Sequence, residues 1–199
     1  MKKLQFLFLI VLLALPGLGR AQDLKNGVKL NLLSPFVRTV SGFYERSVND
    51  NLSAQLGVFY TFGLNTADTR FSGFGVTPEF RFYVMDKGAM QGFYVAPFLR
   101  YQTFRLEADY TEVDINASGG IVEREQTEKA TFSTFGGGVL AGYQWIFGKR
   151  VMFDIYLGPS YNSGSVSYED GRDENNSEIE VRSINGFGIR FGTTLGVAF

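Results

Sequence analysis

From Phe187 to Phe199 the odd positions read Phe, Ile, Phe, Thr, Leu, Val, Phe, and the even positions read Gly, Arg, Gly, Thr, Gly, Ala. Successive side chains of a strand point to opposite faces, so a period of two sustained over this run means a strand with one bulky apolar face and one small or polar face. The pattern recurs through Leu52–Phe62, Val76–Val84, Phe93–Gln102, Gly138–Phe147 and Val151–Tyr161, and more weakly through Val28–Leu32 and Val40–Glu45. That makes eight strands. Their length leaves little room for anything but sheet.

The breaks between strands fall near Ser34–Arg38, Asn49–Asn51, Gly63–Gly73, Met85–Gln91, Glu107–Ala130, Gly148–Arg150 and Ser163–Ser183. From the second onward, every other connection is brief and the rest tend to be long. An even strand count with short turns at one end and long loops at the other is expected of an up-and-down barrel in a membrane. A water-soluble eight-stranded barrel also alternates, but turns its large apolar face inward. The placement of charge separates the two. The bulky apolar faces are nearly free of it, Arg46 near a strand end excepted, while the opposite faces carry Lys29, Glu45, Glu79, Arg81, Arg100, Asp154 and Arg190. Aromatics gather at the ends of the apolar faces, with Phe93, Trp145, Phe147, Phe153 and Phe199 at one rim and Tyr60, Phe62, Tyr101, Tyr161 and Phe187 at the other. Interfacial girdles of this kind belong to membrane barrels. The expected fold is therefore all-β: a single eight-stranded antiparallel up-and-down transmembrane β-barrel. Pro78, Pro97 and Pro159 fall inside strands; each predicts a bulge or a stretch lacking a partner, because proline has no N–H to donate.

Residues 1–21 read as a cleaved signal peptide: basic Lys2 and Lys3, the apolar run Leu4–Leu15, the break at Pro16-Gly17, and Gly19 and Ala21 where a signal peptidase requires small residues. Gln22 follows in place of the Cys that lipoprotein processing requires. The barrel domain would span 22–199, with 16 bases against 20 acids, too acidic for a nucleic-acid footprint. The chain has no Cys and no His. Thiolate sites, imidazole metal ligands and His-based triads are thereby excluded. Gly136-Gly137-Gly138 lacks the Lys-Ser/Thr of a phosphate loop, and Gly186, Gly188 and Gly192 miss the dinucleotide spacing. Inward glycines of this kind make room in a narrow lumen or mark bulges.

The segments Val28-Lys29-Leu30-Asn31-Leu32, Gly42-Phe43-Tyr44-Glu45-Arg46 and Thr77-Pro78-Glu79-Phe80-Arg81, together with the signal sequence, resemble a family of small uncharacterised outer-membrane barrels of Gram-negative bacteria. More broadly the chain resembles the eight-stranded OmpA/OmpX type. The resemblance implies a location in the bacterial outer membrane with periplasmic termini, contact with outer-membrane lipids, and a terminal strand ending in Phe199 that is similar to the signal read by the barrel-assembly machinery. The anchoring role of longer members, which carry a peptidoglycan-binding domain after the barrel, is not expected.

An eight-stranded barrel is only wide enough for its own side chains. Four bases (Lys29, Arg81, Arg100, Arg190) and three acids (Glu45, Glu79, Asp154) sharing that space are expected to pair as a salt-bridge plug, since unpaired buried charge is costly. A polar path for ions is the alternative, and Glu45 with Glu79 as an acid/base pair is the weakest reading. The second candidate region is acidic: seven acids lie in Glu107–Ala130 and six in Glu169–Arg182. Alternation persists there at Val113 and Ile115, and at Ile179 and Val181. Two projecting β-ribbons with turns near Ser118-Gly119-Gly120 and Asp170-Gly171 are expected, able to take up an extracellular partner by strand addition. Asp170, Asp173, Glu174 and Asn175 offer hard oxygen ligands for calcium but match no EF-hand spacing. The sequence thus predicts a non-enzymatic envelope-structural or surface-interaction protein without cofactor or nucleic-acid partner, with a narrow channel for ions or small solutes as the alternative.

Overall fold

A computed structural model describes residues 24–63, 69–84, 90–115, 121–148, 150–168 and 185–199. The signal segment, both predicted turns, the calcium candidates and all six of the Glu169–Arg182 acids lie outside the described residues, as do the acidic side chains of 108–128. Eight strands run β1 (Asn26–Asn31), β2 (Thr39–Asn49), β3 (Leu52–Thr61), β4 (Thr69–Tyr83), β5 (Gly92–Ile115), β6 (Ile121–Phe147), β7 (Val151–Tyr168) and β8 (Gly186–Ala198). Each pairs antiparallel with the next, and β1 pairs with β8 to close the barrel.

The register fixes the shape. Following paired residues around the wall from Gly27 leads through Glu45, Gln55, Glu79, Phe98, Gly138 and Ser160 to Gly188, ten residues short of Ala198, the residue that Gly27 faces across the closing seam. A stagger of that size over eight strands sets a tilt of about 40°, so the ten-residue β3 spans about 25 Å along the axis.

Alternation sorts the side chains as the sequence predicts. Val58, Tyr60, Phe80, Leu99, Val139, Ile155, Leu157, Phe191 and Leu195 are exposed on the outer wall, while Lys29, Glu45, Arg81 and Asp154 are wholly buried inside. Arg46 points outward at the end of β2 that faces Asn26. Rim aromatics meet in pairs, Trp145 with Phe153 (5.7 Å) and Tyr143 (4.4 Å) at the end bearing the chain termini, and Tyr60 with Phe62 (4.9 Å) and Tyr161 with Phe187 (5.1 Å) toward the other.

Inside, large side chains of one strand lie over glycines of the next. Phe43 covers Gly57, Phe59 covers Gly75, Tyr94 covers Gly142 and Tyr156 covers Gly192, and a β-carbon at any of these glycines would collide with the ring beside it. These glycines make room rather than mark bulges.

Of the two forms expected at the prolines, the structure shows the stretch lacking a partner and not the bulge. The β4–β5 register is the same on both sides of Pro78 and Pro97, at Val76↔Tyr101, Glu79↔Phe98 and Phe82↔Val95, with pairs missing only around the prolines. The β6–β7 ladder likewise lapses between Gly138↔Ser160 and Ala141↔Leu157, beside Pro159, without a shift. A strand residue directs its N–H toward one neighbour only, so each proline thins one ladder and leaves the other whole: Pro78 still faces Leu56, Pro97 faces Val139 and Pro159 faces Ile189. The register shift that does occur lies in β2, between Ser47 and Asn49 at the turn into β3.

The extent of two connections needs correction: strand continues through Thr69–Gly73 and Ser163–Tyr168. The β5–β6 hairpin stays paired out to Ile115↔Ile121, as the alternation within Glu107–Ala130 predicts. Beyond Ala108 on β5, where the β4 pairing stops, and before Ala130 on β6, where the β7 pairing starts, the hairpin is a two-stranded ribbon among the described residues.

Candidate functional site

The inward charges divide into two levels. At the end bearing the termini, alternation on five strands aims Lys29 (β1), Glu45 (β2), Glu79 and Arg81 (β4), Gln144 (β6) and Asp154 (β7) at one another. Lys29 Nζ lies 2.6 Å from Glu45 Oε2 and 3.7 Å from Asp154 Oδ2. Arg81 donates from Nε to Glu79 Oε1 at 2.6 Å and from its NH1 nitrogen to Asp154 Oδ2 at 3.0 Å. All five of these charged side chains are within 2% of full burial. A carboxylate there is stable only because cations and hydroxyls replace its hydration.

Neutral groups complete the network. Gln144 Oε1 accepts from Lys29 Nζ (2.7 Å) and Arg81 (3.0 Å), while its Nε2 donates to Glu45 Oε2 (3.1 Å), to Tyr83 OH (3.1 Å) and to the Met90 carbonyl (2.6 Å). Glu45 Oε1 accepts from Ser53 Oγ and Tyr83 OH, and Tyr94 OH donates to Asp154 Oδ1 at 2.8 Å. The Arg81 guanidinium also lies on the Tyr94 ring, 4.3 Å from its centroid. Below them Met90, in the connection after β4 with φ +62°, is wholly buried and joins Tyr83, Tyr94 and Met152 in an apolar cluster.

The sequence singles out the charges and misses the groups that link them. Tyr83, Tyr94 and Gln144 all occupy polar-face positions in the alternating strands, so their inward direction is legible. What is not legible is that Gln144 sits at the centre. Met90 gives no signal at all, since it belongs to a connection.

The other two predicted residues stand apart. Arg190 (β8) comes no closer than 3.8 Å to Glu79 Oε2 and packs on Phe98 (4.6 Å) and Tyr156 (5.5 Å). Arg100 (β5) lies over the Phe59 ring at 4.9 Å and, among the described residues, has no carboxylate within 4.0 Å. Between them is a cavity of about 120 Å³ on the loop side of the ionic network. Glu45 and Glu79 belong to a network in which each already faces a base, so nothing in it resembles an acid/base pair poised on a substrate. Phe199 closes the terminal end by backbone, its N–H donating to Asn26 O (2.8 Å) and its carbonyl accepting from Asn26 N–H (3.0 Å).

No curated protein matches the sequence. Among solved structures, the N-terminal β-barrel domain of Pseudomonas aeruginosa OprF is similar at 12% identity and a TM-score of 0.36, with 90% of this chain and 100% of that chain covered. The family described as "Protein of unknown function (DUF3575)" matches residues 6–187, nearly the whole length. The chain belongs to that family.

Proposed function

We propose that this protein is a non-enzymatic outer-membrane barrel with a structural or surface-interaction role, closed to solute flow by its own interior. Residues 1–21 direct export and are removed, the termini face the periplasm, lipid contacts the outer wall, and the final strand with Phe199 is the element read by the barrel-assembly machinery during insertion. The observation that carries this reading is the inversion of a soluble protein's surface: Phe, Leu, Val and Ile cover the exterior while Lys29, Arg81, Glu45 and Asp154 are fully buried within. In water such a wall would expose far more contiguous apolar area than soluble monomers tolerate. In a bilayer it is the required surface, and barrel closure leaves no strand edge unsatisfied.

The ion network supports the plugged state. An ion crossing the terminal half would have to displace paired charges bridged by Gln144, above a floor formed by Met90. At the opposite end, the β5–β6 ribbon pairs on one side only beyond Ala108 and before Ala130 among the described residues. Its free backbone edges, on an acid-rich sequence, suit strand addition by an extracellular partner.

The test is single-channel recording on purified protein in planar bilayers, with protease shaving of intact cells as the check on orientation. The expected results are electrical silence and cleavage confined to the loop end. A reproducible open state would replace the plug with the narrow-channel reading, and cleavage at the terminal end would reverse the orientation.

A further inference from the structure

Among the described residues the barrel interior holds one more base than acid: Lys29, Arg81, Arg100 and Arg190 against Glu45, Glu79 and Asp154. The excess is localised. Lys29 and Arg81 between them approach all three acids, at 2.6–3.7 Å, whereas among the described residues Arg190 reaches only Glu79, at 3.8 Å, and Arg100 reaches none. Among the described residues no group accepts a hydrogen bond from Arg100 Nε or from the Arg190 NH1 nitrogen, although both atoms are buried. Both arginines line the cavity on the loop side, together with Asn31, Ser41, Thr77 and Tyr156, and no carboxylate lines it. Two guanidiniums, an amide and three hydroxyls thus converge on a space of about 120 Å³, the volume of roughly four water molecules.

We propose that this cavity binds a phosphate-type oxyanion. The planar fork of a guanidinium matches paired oxyanion oxygens, and the neighbouring hydroxyls and amide can serve the rest. An anion there would supply the counter-charge that the protein interior lacks. The phosphate can be free or carried on a lipid headgroup. The second source is open because the β1–β8 ladder ends at Asn31↔Thr194 while β8 continues to Gly186, leaving upper β8 without a β1 partner, and Asn31 and Phe191 beside that seam both line the cavity.

The experiment is thermal unfolding of the full barrel in uncharged detergent, titrated separately with inorganic phosphate, with phosphatidic acid in mixed micelles, and with chloride at matched ionic strength. A saturable rise in the unfolding midpoint of about 5–10 °C at a hundredfold excess over Kd is expected from phosphate or from phosphatidic acid, and the responding arm identifies the source. Arg100→Gln should abolish the rise and, without added anion, unfold no earlier than wild type, because it removes an unpaired buried charge. Arg100→Lys keeps the charge but loses the fork and should weaken binding at least tenfold, which covers the case of an Arg100→Gln chain that does not fold. No saturable rise in either arm, an equal rise with chloride, or an undiminished rise in the folded variants would overturn the site.

Discussion

In the terminal half of the lumen, two bases and three acids are locked by Gln144, Tyr83, Tyr94 and Ser53 into a network with almost no exposure. In the loop half, two arginines lie on aromatic rings beside a cavity, and among the described residues only Arg190 has a carboxylate near it, Glu79 at 3.8 Å. The strands and the alternation are the same in both halves; the difference lies in which side chains face each inward base. Terminal-half bases meet Glu, Asp and Gln, most of them from across the lumen, and loop-half bases lie on Phe and Tyr rings. One half is built to be full, and the other leaves space and charge unspent.

The largest effect should come from breaking the full half. Arg81→Ala would leave Glu79 and Asp154 buried with their principal donor gone. Removing one member of a buried pair costs about 3–5 kcal/mol, which should appear as a large drop in the denaturant midpoint of the folded barrel in detergent and in its heat-resistant gel mobility. Adding Glu79→Ala to that variant should cost less than the two single changes combined, since the second change removes a charge already left alone. Additive losses would mean that the two do not act as a pair.

Gln144→Leu probes the same half more gently. Leucine is close to glutamine in size, so the change deletes the amide with little loss of packing. Lys29 and Arg81 lose a common acceptor and Glu45 loses a donor, while every charge keeps an opposite partner. A loss of about 1–3 kcal/mol in the same unfolding assay is expected, smaller than that of Arg81→Ala. If the two variants were equal, the amide rather than the ion pairs would hold the plug together.

The sequence shows the strands, their facing and the seven inward charges, because a period of two depends only on residue type and order. It does not show which charges meet. Partnership depends on register summed around the wall, and the ten-residue stagger brings Lys29 to Glu45 and Gln144 while keeping Arg100 away from every described acid. The prolines are legible only in part for a related reason: a missing N–H predicts a gap in pairing, but which ladder it thins depends on which neighbour that residue faces. The projecting part of β5 and β6 is legible for the same reason as the other strands, since the alternation at Val113 and Ile115 points to strand although the stretch is rich in charge.

The smallest expected effect sets the lower limit of the comparison. Arg70 of β4 lies directly opposite Glu107 of β5, and their side chains approach to 3.7 Å, so the pair unites the same chemical groups as Arg81 with Glu79. The Arg70 side chain is 64% exposed, however, and the Arg81 side chain is fully buried. Water already stabilises both exposed charges, and dissolved salt screens them, so Arg70→Ala should change stability by no more than about 0.5 kcal/mol. The unfolding midpoint should therefore stay near the wild-type value, and any small difference should shrink as salt is added. A loss comparable to that of Arg81→Ala, persisting at high salt, would show that burial is not what separates the two pairs, and the contrast between a locked terminal half and the rest of the barrel would have to rest on geometry alone.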